Sequence, residues 1–220
     1  MPNRADERSS QSLAGDFALP LRVVQSTAMQ ENARDIGRRI QVVGPSCSGK
    51  STLAEALATK LGLTFIELDA LFWRPGWVEP PADEFGAALR EATSGDGWVV
   101  AGSYSRHTIP AFWNRLETVI WLDFPLHVTL PRIVRRSWQR SRRRELLWGT
   151  NYERFTPQLK VWSLDSLIGY TVRRRRASRK KFLELRNDPS FAHVRWVRLT
   201  SPGQVERWLG SIALGALIPN

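Results

Sequence analysis

Apolar residues along this chain gather into five short runs, each followed by a turn and then by a stretch of helical period. The runs are 40–43 (Ile-Gln-Val-Val), 64–68 (Thr-Phe-Ile-Glu-Leu, ending at Asp69), 98–101 (Trp-Val-Val-Ala), 118–122 (Thr-Val-Ile-Trp-Leu, ending at Asp123) and 194–199 (Val-Arg-Trp-Val-Arg-Leu). Three are apolar at nearly every position, as strands of a parallel sheet covered on both faces tend to be. Apolar spacing at three and four residues predicts helices over 50–61, about 83–94, about 106–116, about 126–144, about 158–187 and about 203–214. Alternating strands and helices predict a doubly wound α/β fold with a parallel sheet between two helical layers. Residues 1–38 have no such period. They are polar and are read as a disordered extension, with one domain over 39–220. The only methionines are Met1 and Met29, and a native start at Met29 is an expectation that intact mass would check.

In such a sheet, ligands sit beyond the carboxyl ends of the strands. The predicted rim therefore holds Gly44–Ser51, Asp69, Gly102–Arg106, Asp123 and Thr200–Gly203. The first of these, Gly44-Pro45-Ser46-Cys47-Ser48-Gly49-Lys50-Ser51, followed by Thr52, matches G-x-x-x-x-G-K-[ST] in its required strand–loop–helix setting. The glycines let successive backbone N–H groups turn inward around a phosphate, and the helix start adds its positive dipole end. Lys50 is expected on the β- and γ-phosphates of ATP, and the Ser51 hydroxyl on Mg²⁺.

Asp69 is read as the group that orients or deprotonates an acceptor hydroxyl, or holds a water on Mg²⁺; the alternative is a turn or helix-cap aspartate. Trp73 and Trp77, which flank Arg74 and Pro75, are read either as substrate contacts that stack on a base or as packed lid residues. In phosphate-loop enzymes the third strand often ends in a metal-shell aspartate, and here that position is Ala101. Either Asp69 or Asp123 replaces it, or catalysis is weakened. Arg132, Arg135, Arg136 and Arg140 share one helix face, where like charges are costly unless an anion neutralises them. Arg132 and Arg136 are read as contacts to the transferring phosphoryl group. Segment 138–160, with Trp138, Trp148 and Tyr152 interleaved with charge, is read as a lid.

Charge adds a second reading. The net charge is +11, and residues 123–186 hold 17 Lys/Arg against 5 Asp/Glu, so the surplus is local. The runs Arg142–Arg144 and Arg173–Arg176 are read as a solvated or nucleic-acid-facing surface, and the rival function is a nucleic-acid-binding protein with a regulatory or degenerate ATP site. Cys47 is the only cysteine, so no disulfide forms within the chain, which suits a cytoplasmic protein. His107, His127 and His193 have no metal-ligand spacing, and no run is long enough to span a membrane.

On these residues the chain resembles the adenylate-kinase-like branch of phosphate-loop kinases, and more narrowly the DNA topology modulation family. The resemblance rests on GPSCSGKST at 44–52, LGLTFIELDALFWRPGW at 61–77, EF at 84–85, WVVAGSYS at 98–105, VIWLDFP at 119–125 and RRRELLWGTNYE at 142–153. It implies a phosphate-loop NTPase fold, a three-layer α/β/α sandwich with five parallel strands in the order 2-3-1-4-5 and an arginine-bearing lid. It also implies ATP contacts from Arg132 and Arg136, and a substrate-phosphate contact near Arg106. The activity implied is phosphoryl transfer from ATP to a small acceptor, a nucleotide or nucleoside. Where that family has Asp-Gly-Asn-Tyr, this chain has Ala101-Gly102-Ser103-Tyr104.

Overall fold

A computed structural model describes residues 36–153 and 166–215. Its sheet has five parallel strands: β1 (Arg39–Val43), β2 (Thr64–Glu67), β3 (Trp98–Ala101), β4 (Thr118–Leu122) and β7 (Arg195–Leu199). Their spatial order is β2-β3-β1-β4-β7, the 2-3-1-4-5 order of the resemblance once a small hairpin is set aside. That hairpin, β5 (Leu146–Leu147) and β6 (Asn151–Tyr152), forms a separate antiparallel pair. The helices are α1 (Lys50–Leu61), α2 (Leu68–Phe72), α3 (Ala82–Ala92), α4 (Ser105–Phe112), α5 (Leu126–Arg143), α6 (Leu167–Asn187) and α7 (Pro202–Gly215).

The strand sequences explain the two helical layers. Side chains alternate across a strand, so Ile40 and Val42 leave β1 on one side and Val43 on the other. The first side packs with Leu53 and Leu57 of α1 and Trp208 and Ile212 of α7. The second packs with Phe85 and Leu89 of α3, Phe112 of α4 and Phe182 of α6. Leu57 is fully buried, and trimming it to Ala would cost about 2–5 kcal/mol through lost contact and the cavity left behind. Gln41, the one polar side chain in the middle of β1, is buried but satisfied. Its amide donates to Gly102 O at 2.9 Å, and its carbonyl accepts from the Trp113 indole N–H at 2.8 Å.

Several boundaries differ from expectation. Residues 36–38 are packed: Ile36 lies in the core, its carbonyl accepts from the Thr118 hydroxyl at 2.6 Å, and the Arg38 N–H donates to Glu117. A lone isoleucine before a glycine gives no periodic signal, so the reading began the domain at 39. The rest of the predicted extension, 1–35, lies outside the described residues, as do 158–165 of the predicted long helix and 154–160 of the predicted lid. The second strand ends at Glu67 rather than at Leu68, because α2 begins at once. Among the described residues no helix is long and apolar enough to cross a membrane.

Candidate active site at the mouth of the central strands

The chain leaves β1 through Gly44, whose φ is +152°. A Cβ there would stand 2.7 Å from the carbonyl oxygen of Leu122, so only glycine lets the loop start this close to β4. Ser103, just past β3, pins this start: its hydroxyl accepts from the Gly44 N–H at 3.1 Å and donates to the Gly44 carbonyl at 3.2 Å. Ser103, which stands where the resembled family has Asn, thus has a local task here. Gly49, with φ +92°, precedes α1 and offers no side-chain cap, so the first-turn N–H groups of α1 have no side-chain acceptor.

Lys50 donates to the carbonyl of Pro45 at 2.9 Å. Burial pushes its ammonium below the ordinary lysine value, with Asp69 opposing that shift and Arg136 adding to it. The Ser48 hydroxyl and the Arg136 Nε are buried with no hydrogen-bond partner. Buried donors without acceptors are costly, and here they converge with a lysine on a helix start. Several phosphate oxygens would satisfy all of them, so the residues present fit a triphosphate. Cys47 is left-handed at φ 57°, and burial raises its thiol pKa even though Arg136 and Lys50 pull it down. It is therefore a poor nucleophile.

Two carboxylates face this loop. Asp69 lies in the first turn of α2, close enough to act on the charge of Lys50, and its Oδ1 accepts from the Tyr104 hydroxyl at 2.7 Å. Burial first, and Asp69 second, push the Tyr104 phenol far above its ordinary value, so it remains a neutral donor holding the aspartate in place. Glu67, which sequence reasoning passed over, ends β2 and bonds the Ser51 side chain. Burial raises its pKa, while the Ser51 bond, Lys50 and Arg136 pull it down. In the sheet register Glu67 stands beside Ala101. A carboxylate therefore stands beside the position where β3 ends in Ala101. The signal available in the sequence was an acidic residue ending an otherwise apolar strand.

Asp123, one of the two proposed replacements, is excluded by its partners. Its carboxylate accepts from Arg198 Nε at 2.9 Å and from the second Arg198 nitrogen, and pairs with Arg179 at 3.2 Å. Two guanidinium groups already pair with its charge, whereas Glu67 and Asp69 lie beside Lys50.

The arginines separate likewise. Arg136 is the one whose charge acts on Lys50, Glu67 and Cys47. Arg132, one turn earlier on α5, is exposed and lies over the Phe124 ring at 5.9 Å. Arg140 is paired with Glu153 at 3.3 Å and with Glu145 at 3.6 Å. The reading of Arg173–Arg176 as an outward basic face needs correction at Arg175, which donates to the carbonyl of Phe124 because α6 packs along this side of the sheet. Arg174 lies over Tyr170 and Arg142 over Trp138.

The aromatic loop packs against the hairpin. Trp73 meets Phe72 and Trp77 edge-on, and Trp77 meets Trp148 of the hairpin edge-on. Trp77 is 38% exposed and Trp73 is half-buried: the rings pack on each other and still show surface. Arg106 is exposed in the first turn of α4. Thr52 is exposed on α1, and Pro45 and Ser46 line the phosphate loop.

No family model matches the chain. It is 39% identical over 108 residues to a shikimate kinase of Halorhodospira halophila (strain DSM 244 / SL1), over 43% of this chain and 61% of that protein. The match thus spans about three fifths of that relative. An uncharacterized protein, YqaC of Bacillus subtilis (strain 168), is 26% identical over 144 residues, covering 63% of this chain and 78% of that one. Among solved structures, the chain overlays a shikimate kinase from Acinetobacter baumannii in complex with shikimate at a TM-score of 0.48, 18% identity and 86% and 99% coverage. It overlays a gluconokinase from Sinorhizobium meliloti 1021 at 0.47, 19% identity and 83% and 93% coverage.

Proposed function

We propose that this protein is a phosphate-loop kinase that moves the γ-phosphoryl group of ATP to a hydroxyl or phosphate of a small acceptor. The observation that carries the reading is the convergence of Lys50, Ser51, Glu67, Asp69 and Arg136 on one strand mouth. The roles follow from the geometry. The phosphate loop and the start of α1 hold the triphosphate, and Lys50 exchanges its bond to Pro45 for phosphate oxygens. Ser51 and Glu67 would hold Mg²⁺, directly or through water, and the ion when bound screens the charge between the phosphates. Asp69, fixed by Tyr104, accepts the proton of the acceptor hydroxyl, and Arg136 stabilises negative charge on the moving group. Arg132 supports the nucleotide from the outer turn of α5, and Arg106, Trp73 and Trp77 contact the acceptor. The hairpin and the end of α5 close over the triphosphate and exclude water, which limits hydrolysis.

The acceptor is a small hydroxylated molecule. A nucleotide or nucleoside follows from the resemblance, and shikimate enters because the curated relative is named for it. The test is a screen of nucleosides, nucleotides and shikimate read by ADP formation. An acceptor that raises ADP release at least about tenfold over hydrolysis supports the reading, since closure and positioning act on the chemical step. Lys50→Ala should abolish nucleotide binding by calorimetry; binding retained at wild-type strength in that variant would defeat the assignment of the loop. The nucleic-acid alternative loses support at Arg140, Arg175 and Arg179, which are held by partners within the fold.

A further inference from the structure

We infer that Asn151 fastens the hairpin to the aromatic loop 73–78, so that ordering of the nucleotide side is passed to the acceptor side; the inference rests on the nucleotide reading above. Asn151 is 2% exposed, although it sits on a two-residue strand of a small hairpin. Its side-chain carbonyl accepts from the Trp77 backbone N–H at 2.9 Å. Its amide donates to the Arg74 carbonyl at 3.0 Å and to the Thr150 hydroxyl at 3.0 Å. One side chain therefore meets a backbone donor and a backbone acceptor of the opposite segment, as a peptide unit of a neighbouring strand would.

Two other contacts run the same way. The Trp77 indole N–H donates to the carbonyl of Tyr152 at 3.2 Å, and its ring meets Trp148 at 5.8 Å. Trp77 and Trp148 both hold left-handed backbones, at φ 64° and 49°. That conformation is costly for a bulky residue and persists only where the surroundings over-determine it. Here each tryptophan is held by the other's segment.

The fastening reaches both halves of the site. On the nucleotide side, Glu153 follows the hairpin directly and accepts from Ser137 and Arg140 of α5, the helix that carries Arg136. On the acceptor side, Trp77 packs on Trp73, and Trp73 on Phe72, in the helix that carries Asp69. Hydrogen bonds, packed rings and short stretches of chain thus connect the helix of Arg136 to the helix of Asp69, and Asn151 supplies the two bonds to the loop backbone across the gap between hairpin and loop. Asn151 touches no reacting atom in this account; it is a positioning residue.

Hydrogen exchange on the full chain tests this, with and without Mg²⁺ and a non-hydrolysable ATP analogue. In the wild type the analogue should slow exchange about threefold or more both at 44–52 and at 74–78. Asn151→Ala should keep the slowing at 44–52 and lose it at 74–78, which a merely structural role would not separate. Equal slowing at 74–78 in the variant overturns the inference, as does a wild type slowed at 44–52 alone. A wild type unchanged at 44–52 defeats the nucleotide reading itself, and this inference with it. Should the alanine variant fail to fold, Asn151→Asp makes the same comparison. It keeps the acceptor for Trp77 and removes the donor to Arg74, so the slowing at 74–78 should fall part-way; full wild-type slowing there overturns the inference.

Discussion

Two strand mouths in this sheet carry the same kinds of residue and use them in opposite ways. At the ends of β4 and β7, Asp123 is closed by Arg198 and Arg179, and the Arg198 guanidinium also covers the Trp121 ring at 4.9 Å. The one carboxylate there is paired with two guanidinium groups. At the ends of β1 and β2, Lys50 leans on a carbonyl, Arg136 Nε and Ser48 Oγ have no partner, and burial pushes Lys50 and Glu67 toward their neutral forms. The first mouth is complete as folded. The second leaves buried donors without acceptors, which on the proposed function an anion satisfies. What separates a structural ion pair from a binding site here is therefore satisfaction, not residue type or place on the rim.

Exchanging one arginine from each mouth should break the comparison cleanly if it is sound. Arg136→Ala should lower acceptor-dependent turnover about 10²–10³-fold, the usual loss for one donor to a developing anion. It should leave the denaturant midpoint of the free protein unchanged or slightly raised, because the guanidinium it removes is buried without full pairing. A variant that turns over normally would remove Arg136 from the site.

The mirror experiment, Arg198→Ala, should show the reverse. The nearly buried Asp123 keeps Arg179 but loses its two-nitrogen partner, at a cost of about 1–3 kcal/mol in stability. Urea unfolding measures this, and nucleotide affinity by calorimetry should stay within about twofold because neither group belongs to the other mouth. A large affinity loss in a folded Arg198→Ala would join the two mouths and dissolve the contrast.

These two sites show which information the sequence held. The strand order and the phosphate loop were legible because they rest on local patterns: apolar runs, helical spacing and a motif whose glycines have a geometric task at Gly44 and Gly49. Asp69 and Asp123 looked alike, each an aspartate closing an apolar strand. Their fates differ through Tyr104, 35 residues from Asp69, and Arg198, 75 residues from Asp123. No local pattern carries pairings of that range. Glu67 was missed for another reason. The reading ran the strand on through Leu68, so Glu67 passed as a strand position, whereas the immediate turn into α2 sets both Glu67 and Asp69 at the mouth. Asn151 was hidden because its value lies wholly in the backbone of Arg74 and Trp77.

The smallest expected effect sharpens the comparison most, because it has two signs. Burial raises the Glu67 pKa above that of the unfolded chain, so the folded protein binds this proton more tightly than the unfolded one. The contribution is then fully present below the unfolded value and is lost as pH rises through the folded one. At neutral pH the ionised carboxylate weighs against the fold. Glu67→Gln removes that charge while leaving an amide that can still bond Ser51. Its unfolding midpoint should therefore exceed wild type at pH 7–8, by a margin in the common range of about 0.5–2 kcal/mol for relief of a functional site. The margin should shrink as pH falls into the carboxylate range, where wild-type Glu67 is neutral too. The opposite sign belongs to function: on the proposed reading Ser51 and Glu67 hold the ion, so Mg²⁺-dependent nucleotide affinity should weaken in the variant, while affinity for the metal-free nucleotide should not fall, because the charge removed beside Lys50 is negative like the phosphates. A variant no more stable than wild type at neutral pH would mean that Ser51, Lys50 and Arg136 already compensate the carboxylate. The β2 mouth would then be as complete as the Asp123 pair, and the contrast would rest on Lys50, Ser48 and Arg136 alone.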